Sequence, residues 1–167
     1  MARERLIICN TSPLINLAET GLLDLLGELA GNVCIPPAVR EELMAKSGLF
    51  PHAAHAAESG WIPLQAPADR LLVRSFATTL HRGEAECLAL GMEHPGALLI
   101  LDDLSARAAA SANGLPFTGT LGILAAAKSK GTLPLLAPVL RELRTRARFW
   151  ISPLLERAIL KSVGELD

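Results

Sequence analysis

The sequence predicts an α/β protein built on a central, mainly parallel sheet with helices on both faces. Two observations carry that prediction. Short apolar runs at Leu6–Cys9, Asn32–Ile35 and Ala97–Leu101 read as strands buried on both faces. Longer segments with apolar residues at helical spacing lie between them, and strands that alternate with helices imply right-handed parallel crossovers. Length supports the same class. The 167 residues, half of them apolar, suit a single domain spanning 1–167 with a sizeable core.

Each element has a local reason. Leu6-Ile7-Ile8-Cys9 forms the first strand, and Asn10-Thr11-Ser12-Pro13 ends it and starts a helix. Thr11 or Ser12 can cap that helix, and Pro13 suits its first turn. Leu14, Ile15, Leu17 and Ala18 give it a buried face. Gly21 interrupts the chain, and Leu22, Leu23, Leu25, Leu26 and Leu29 mark a second helix. Pro36-Pro37 halts the second strand and opens a helix carrying Val39, Leu43 and Met44 on one face. Residues 46–68, with Gly48, Pro51, Gly60, Pro63 and Pro67, read as loop, with a brief strand at Trp61-Ile62. Helices are expected over 69–80 and from Gly83 to Glu93. Asp102-Asp103 ends the clearest strand, and an Ala-rich helix follows. Leu115-Pro116-Phe117 is a short strand. Helices over 120–130, 134–145 and 153–164 complete the chain, the C-terminal ones (about 134–164) packing on the rest.

Composition narrows the function. The net charge of −1 hides a split: residues 1–120 hold 8 basic and 13 acidic side chains, and residues 121–167 hold 8 and 4. Four Phe, two Trp and no Tyr argue against an aromatic groove for single-stranded nucleic acid. No apolar stretch is long enough for a membrane span, and Leu6–Cys9 is too short for a signal-peptide core. A cytoplasmic protein is expected. Three cysteines without a CxxC pair read as small buried thiols.

Ligands of α/β sheets bind beyond the carboxyl ends of the strands. Four segments bring polar oxygens there: Asn10 after the first strand, Glu41-Glu42 after the second, Glu84 and Glu86 at a helix start, and Asp102-Asp103 after the clearest strand. Carboxylates gathered from distant segments suit metal-assisted phosphodiester hydrolysis, because Mg²⁺ and Mn²⁺ are hard ions that prefer oxygen. Each group also has a plain reading. Glu41 and Glu42 fit an exposed helix face, and Glu42 is the better placed for a site. Glu84 and Glu86 fit a helix N-terminus, and their spacing turns them about 200° apart, so both do not face one site. Glu84 is the better candidate. One of Asp102 and Asp103 can be an N-cap.

With these residues in view the chain resembles the PIN-domain family, in the branch whose opening motif reads Asn10-Thr11-Ser12-Pro13-Leu14-Ile15. Ile35-Pro36-Pro37 through Leu43, Gly83-Glu84-Ala85-Glu86, Leu101-Asp102-Asp103 with Ala106-Arg107, and Thr118-Gly119-Thr120-Leu121-Gly122 continue the resemblance in order. It implies a Rossmann-like fold and a Mg²⁺- or Mn²⁺-dependent endonuclease for single-stranded RNA. It also implies a toxin whose cognate antitoxin blocks the pocket. By carry-over the catalytic and metal-holding acids are Glu42, Glu84 and, after the later strand, Asp102 or Asp103, with Asn10 as a further metal ligand and Ser12 and Glu86 in support. PIN nucleases usually carry Asp where this chain has Asn10. An amide oxygen can hold Mg²⁺ without contributing charge, so weaker metal binding is expected. The alternative is a weakened or inactive relative that binds RNA or a protein.

Lesser signals remain. His52-x-x-His55 has metal-ligand spacing but no third ligand, and reads as part of a solvated loop. The Thr118–Thr120 turn offers N–H groups to a phosphate, or is simply a tight turn. Arg141, Arg144, Arg146 and Arg148 form the one dense basic run, read either as a solvated helix end or as an RNA-binding ridge. Leu- and Ala-rich helices permit a homodimer.

Overall fold

The computed structural model describes residues 5–30 and 32–167. Its sheet has four strands in the order β2-β1-β3-β4, with β1 at Leu6–Cys9, β2 at Asn32–Cys34, β3 at Leu98–Ile100 and β4 at Phe117–Thr118. Every pairing is parallel. Ile8 lies opposite Cys34 on one side and Leu99 on the other, and Ile100 lies opposite Thr118. β1 and β3 are almost wholly aliphatic because helices cover both of their faces.

The two faces are covered by different helices. Ile7 and Ile100 share a cavity wall with Leu26 of α2 (Asp24–Ala30) and Ile123 of α8 (Thr120–Ser129). On the opposite face α6 (Arg82–Glu93) packs on β1 and β3, bringing Gly91 against the Leu99 side chain. α1 (Thr11–Glu19) joins the two layers, touching α3 (Pro37–Ala45), α8 and α9 (Ala137–Arg146). Leu140 and Leu143 of α9 and Leu160 of α10 (Pro153–Ser162) are buried in the core.

The structure corrects the sequence reading at several places. Residues 46–68 are not all loop: α4 spans Pro51–Glu58 and packs on α1 and α3 through buried Ala53, Ala54, Ala56 and Ala57. Pro51 sits in the first turn, where a missing N–H costs nothing, and alanine is the best helix former. His52 and His55 are therefore helical. His52 Nδ1 lies 2.9 Å from Glu19 Oε2, and Glu19 Oε1 accepts the Ala53 N–H at 3.0 Å. Trp61-Ile62 is not a strand; the neighbouring Leu64 instead makes a single parallel bridge to Ile35. The N-cap of α1 is Asn10, not Thr11 or Ser12. α5 is shorter than expected, at Arg70–Phe76, with Asp69 as its cap. Residues 1–4, Gly31 and the Leu29 side chain, on which some of the sequence reading falls, lie outside the described residues.

Candidate active site

In the order β2-β1-β3 the chain turns to opposite sides after β1 and opens a crevice beyond the ends of β1 and β3. Asn10 leaves β1 there, and Asp102-Asp103 follows β3 through Leu101. The Asn10 main-chain N–H donates to the Ile100 carbonyl at 3.1 Å and ties the two exits together. A cavity of about 450 Å³ sits at this edge. Its wall is Asn10, Thr11 and Ser12 at the start of α1, Glu42 and Lys46 from α3 and its end, and His81, Arg82 and Glu84 from the start of α6.

Asn10 is 4 % exposed, and its Oδ1 has no hydrogen-bond partner. An unsatisfied buried polar oxygen costs about 1–3 kcal/mol, so it marks a place where a ligand can compensate. Glu42 lies beside it. Its Oε2 accepts the Thr11 hydroxyl, and its Oε1 accepts the Gly83 N–H at 2.9 Å. The start of α6 approaches this carboxylate so closely that a Cβ at Gly83 would lie 2.7 Å from Glu42 Oε1. Only glycine leaves the Glu42 side chain where it is.

Glu84 stands one residue further along α6, and its Oε2 accepts the His81 main-chain N–H at 3.1 Å. Burial pushes its carboxyl up. The His81 bond works against this, and the negative charges of Asp103 and Glu42 push it up again. Glu84 thus senses the charge of two neighbouring acids.

Asp102 and Asp103 play different parts. Asp102 accepts the Asn16 amide at 3.0 Å, the Thr120 N–H at 2.8 Å and the Thr120 hydroxyl at 2.6 Å. Burial pushes its carboxyl up, opposed by the Thr120 and Asn16 bonds and by the charge of Arg107. It joins the end of β3 to α1 and α8. Asp103 is exposed and caps α7 (Leu104–Ala112), its Oδ1 accepting the Ser105 and Ala106 N–H groups. The Thr120 N–H of the 118–120 turn is thereby taken by a carboxylate and is not open to a phosphate. Glu86 faces away from the cavity. It accepts the Ala38 N–H at 2.8 Å, which caps α3, and lies 3.4 Å from Arg82 Nε. Glu41 is an exposed partner of Arg82 at 2.8 Å, and Ser12 is an exposed wall residue.

The sequence reading overlooked Thr11 as the partner of Glu42, Asn16 and Thr120 as partners of Asp102, and Lys46 and His81 as wall residues. Asn16 was detectable. It is a lone polar residue on the apolar face of α1, and it is 3 % exposed. Of the basic run, Arg144 pairs with Glu156 and donates to the Ile151 carbonyl at 3.3 Å, so it braces α9 against α10. Arg146 lies 3.8 Å from Glu142, while Arg141 and Arg148 are exposed. The three thiols are free and buried. Burial pushes Cys9 and Cys87 far up and Cys34 up to about 11.

The donors suit a hard divalent cation: an orphaned amide oxygen between carboxylates. Among the described residues no three Asp, Glu, His or Cys side chains are grouped closely enough to cage an ion. An amide with one or two carboxylates would leave the rest of an ion's coordination to water. No helix among the described residues is long and apolar enough to cross a membrane.

Over residues 6–165 the chain matches a sequence family described as a PIN domain. No curated protein is significantly similar to it.

Proposed function

The chain belongs to the PIN-domain family, and from that premise we propose that it is a divalent-metal-dependent endonuclease that hydrolyses phosphodiester bonds of single-stranded RNA. The orphaned Oδ1 of Asn10, walled in with Glu42 and Glu84, carries this reading. Asn10 with Glu42 and Glu84 would hold Mg²⁺ or Mn²⁺, and the negative charge of Asp103, which Glu84 senses, would add to the field there. When bound, such an ion activates water and neutralises charge on the phosphate. Glu84 has one oxygen bound to the His81 N–H, which leaves its other oxygen free to face the cavity. Thr11 and Gly83 hold both oxygens of Glu42 in place. Lys46 and Arg82 set positive charge in the wall to meet the phosphate. Asp102 works at one remove, fixing the end of β3. The toxin of a toxin–antitoxin pair is the matching biological role, with an antitoxin covering the cavity.

The test is cleavage of single-stranded RNA in Mn²⁺, with and without EDTA, by the wild type and by Asp103→Ala. Cleavage that EDTA abolishes and the variant lacks is expected. Metal-independent cleavage, or full activity in the variant, would rule the proposal out. The neutral Asn10 favours a second reading, a PIN-like protein that binds RNA or a partner without cutting. It predicts RNA binding with no cleavage in any metal.

A further inference from the structure

Trp150 is 78 % exposed, although its segment is held firmly. The Phe149 N–H donates to the Leu143 carbonyl at 3.0 Å, Arg144 donates to the Ile151 carbonyl, and Ser152 caps α10. Leu154, on the first turn of α10, is 80 % exposed. Arg148, two residues before the indole, has φ 56°, the one positive value at a non-glycine among the described residues. A left-handed arginine is strained, and strain retained in a braced turn points to a use for that side chain. The charges here do not cancel. Glu156 is paired with Arg144 and Glu142 lies near Arg146, which leaves Arg141, Arg148 and Arg157 without an ion pair among the described residues.

We propose that the 147–152 turn and the end of α9 form a second binding site for single-stranded RNA, separate from the acidic cavity. Trp150 stacks on a base, and Arg141 and Arg148 meet the flanking phosphates. The few aromatics leave no stacking groove along the strand, but one exposed indole with positive charge beside it suffices to stack a single base. The uncompensated charge also chooses the occupant. A two-fold partner of this same chain would bring like charges together here, whereas a polyanion neutralises them. The site rests on the reading of the chain as acting on RNA.

The chain has two tryptophans, so Trp61→Phe leaves Trp150 as the sole indole. This variant is titrated with oligouridylate in EDTA, which separates binding from cleavage. Saturable quenching of Trp150 emission is expected. Trp150→Ala should weaken binding about tenfold and Trp150→Phe far less, in line with base stacking. Arg148→Gly should lower the steepness of log K against log salt by about 0.7. Its melting temperature should not fall, since glycine accepts this φ. Quenching in a chain that cleaves nothing would sink the nuclease reading and leave this site standing. RNA binding without quenching, unchanged affinity in Trp150→Ala, or no binding at all would overturn it. So would Trp150 emission that tracks protein concentration alone, the mark of a second copy on this face.

Discussion

Adjacent carboxylates in this chain do different work, and substitution should separate them. Asp102 satisfies Asn16 and Thr120, which are 3 % and 0 % exposed. Asp102→Ala leaves those donors buried and unpaired, so a loss of about 2–4 kcal/mol in urea unfolding is expected. Asp103→Ala removes an exposed cap and should cost only about 1 kcal/mol while abolishing cleavage. Equal stability losses in the two variants would refute this division. Gly83→Ala probes the site from the backbone. Its new Cβ meets only the end of the Glu42 side chain, which can swing away, so the fold survives and the carboxylate moves. Circular dichroism should be unchanged and cleavage slower by on the order of 100-fold. The position of the doublet Asp102-Asp103 just past β3 was legible in the sequence, but its division of labour was not. That depends on Asn16 and Thr120, which lie 86 and 18 residues away from Asp102 and meet it only through the fold.

The elements were legible where a single local signal dominates. Continuous aliphatic runs placed β1 and β3 within a residue, and Pro153 after Ser152 placed the start of α10. α4 was hidden because Pro51 marks a break and a helix start equally well, and its Ala/His face has little apolar contrast. What fastens the last helices was also hidden. Glu165, beyond α10, accepts the Leu136 and Ala137 N–H groups at the start of α9. Burial acts against its charge, but those bonds and Lys128 outweigh this and hold its carboxyl below the ordinary 4.5. A lowered acid stabilises the fold fully above its unfolded value and loses that contribution as pH falls through the folded one. Glu165→Gln should therefore cost about 1 kcal/mol near neutral pH. The gap to wild type should close as pH falls below the ordinary 4.5. A gap that stays constant on acidification would mean that the clasp does not depend on charge.

For the whole molecule, the opposed charges acquire places. The surplus acids of residues 1–120 include Glu42 and Glu84 in one cavity wall, and the surplus bases of 121–167 include Arg141, Arg148 and Arg157 at the far end of the chain. A bound divalent ion would bring the cavity toward neutrality and should stabilise the native state by mass action. At 100 times its dissociation constant, Mn²⁺ should add about 2.7 kcal/mol, seen as a melting temperature several degrees higher that EDTA restores. No change in melting temperature across saturating Mn²⁺ would count against a native-state site. The parallel order and the carboxyl-edge location of the site could be read from the alternation of strands and helices. The orphaned state of Asn10 could not, because burial and missing partners are properties of the folded chain. Asn10 is also where the account is most exposed. Supplying the missing charge should strengthen the cation site, so the decisive measurement is the rate of single-stranded RNA cleavage in Mn²⁺ by Asn10→Asp beside the wild type. The account predicts an increase on the order of tenfold or more, abolished by EDTA. An unchanged rate, or a gain that survives EDTA, would show that position 10 does not face a catalytic metal.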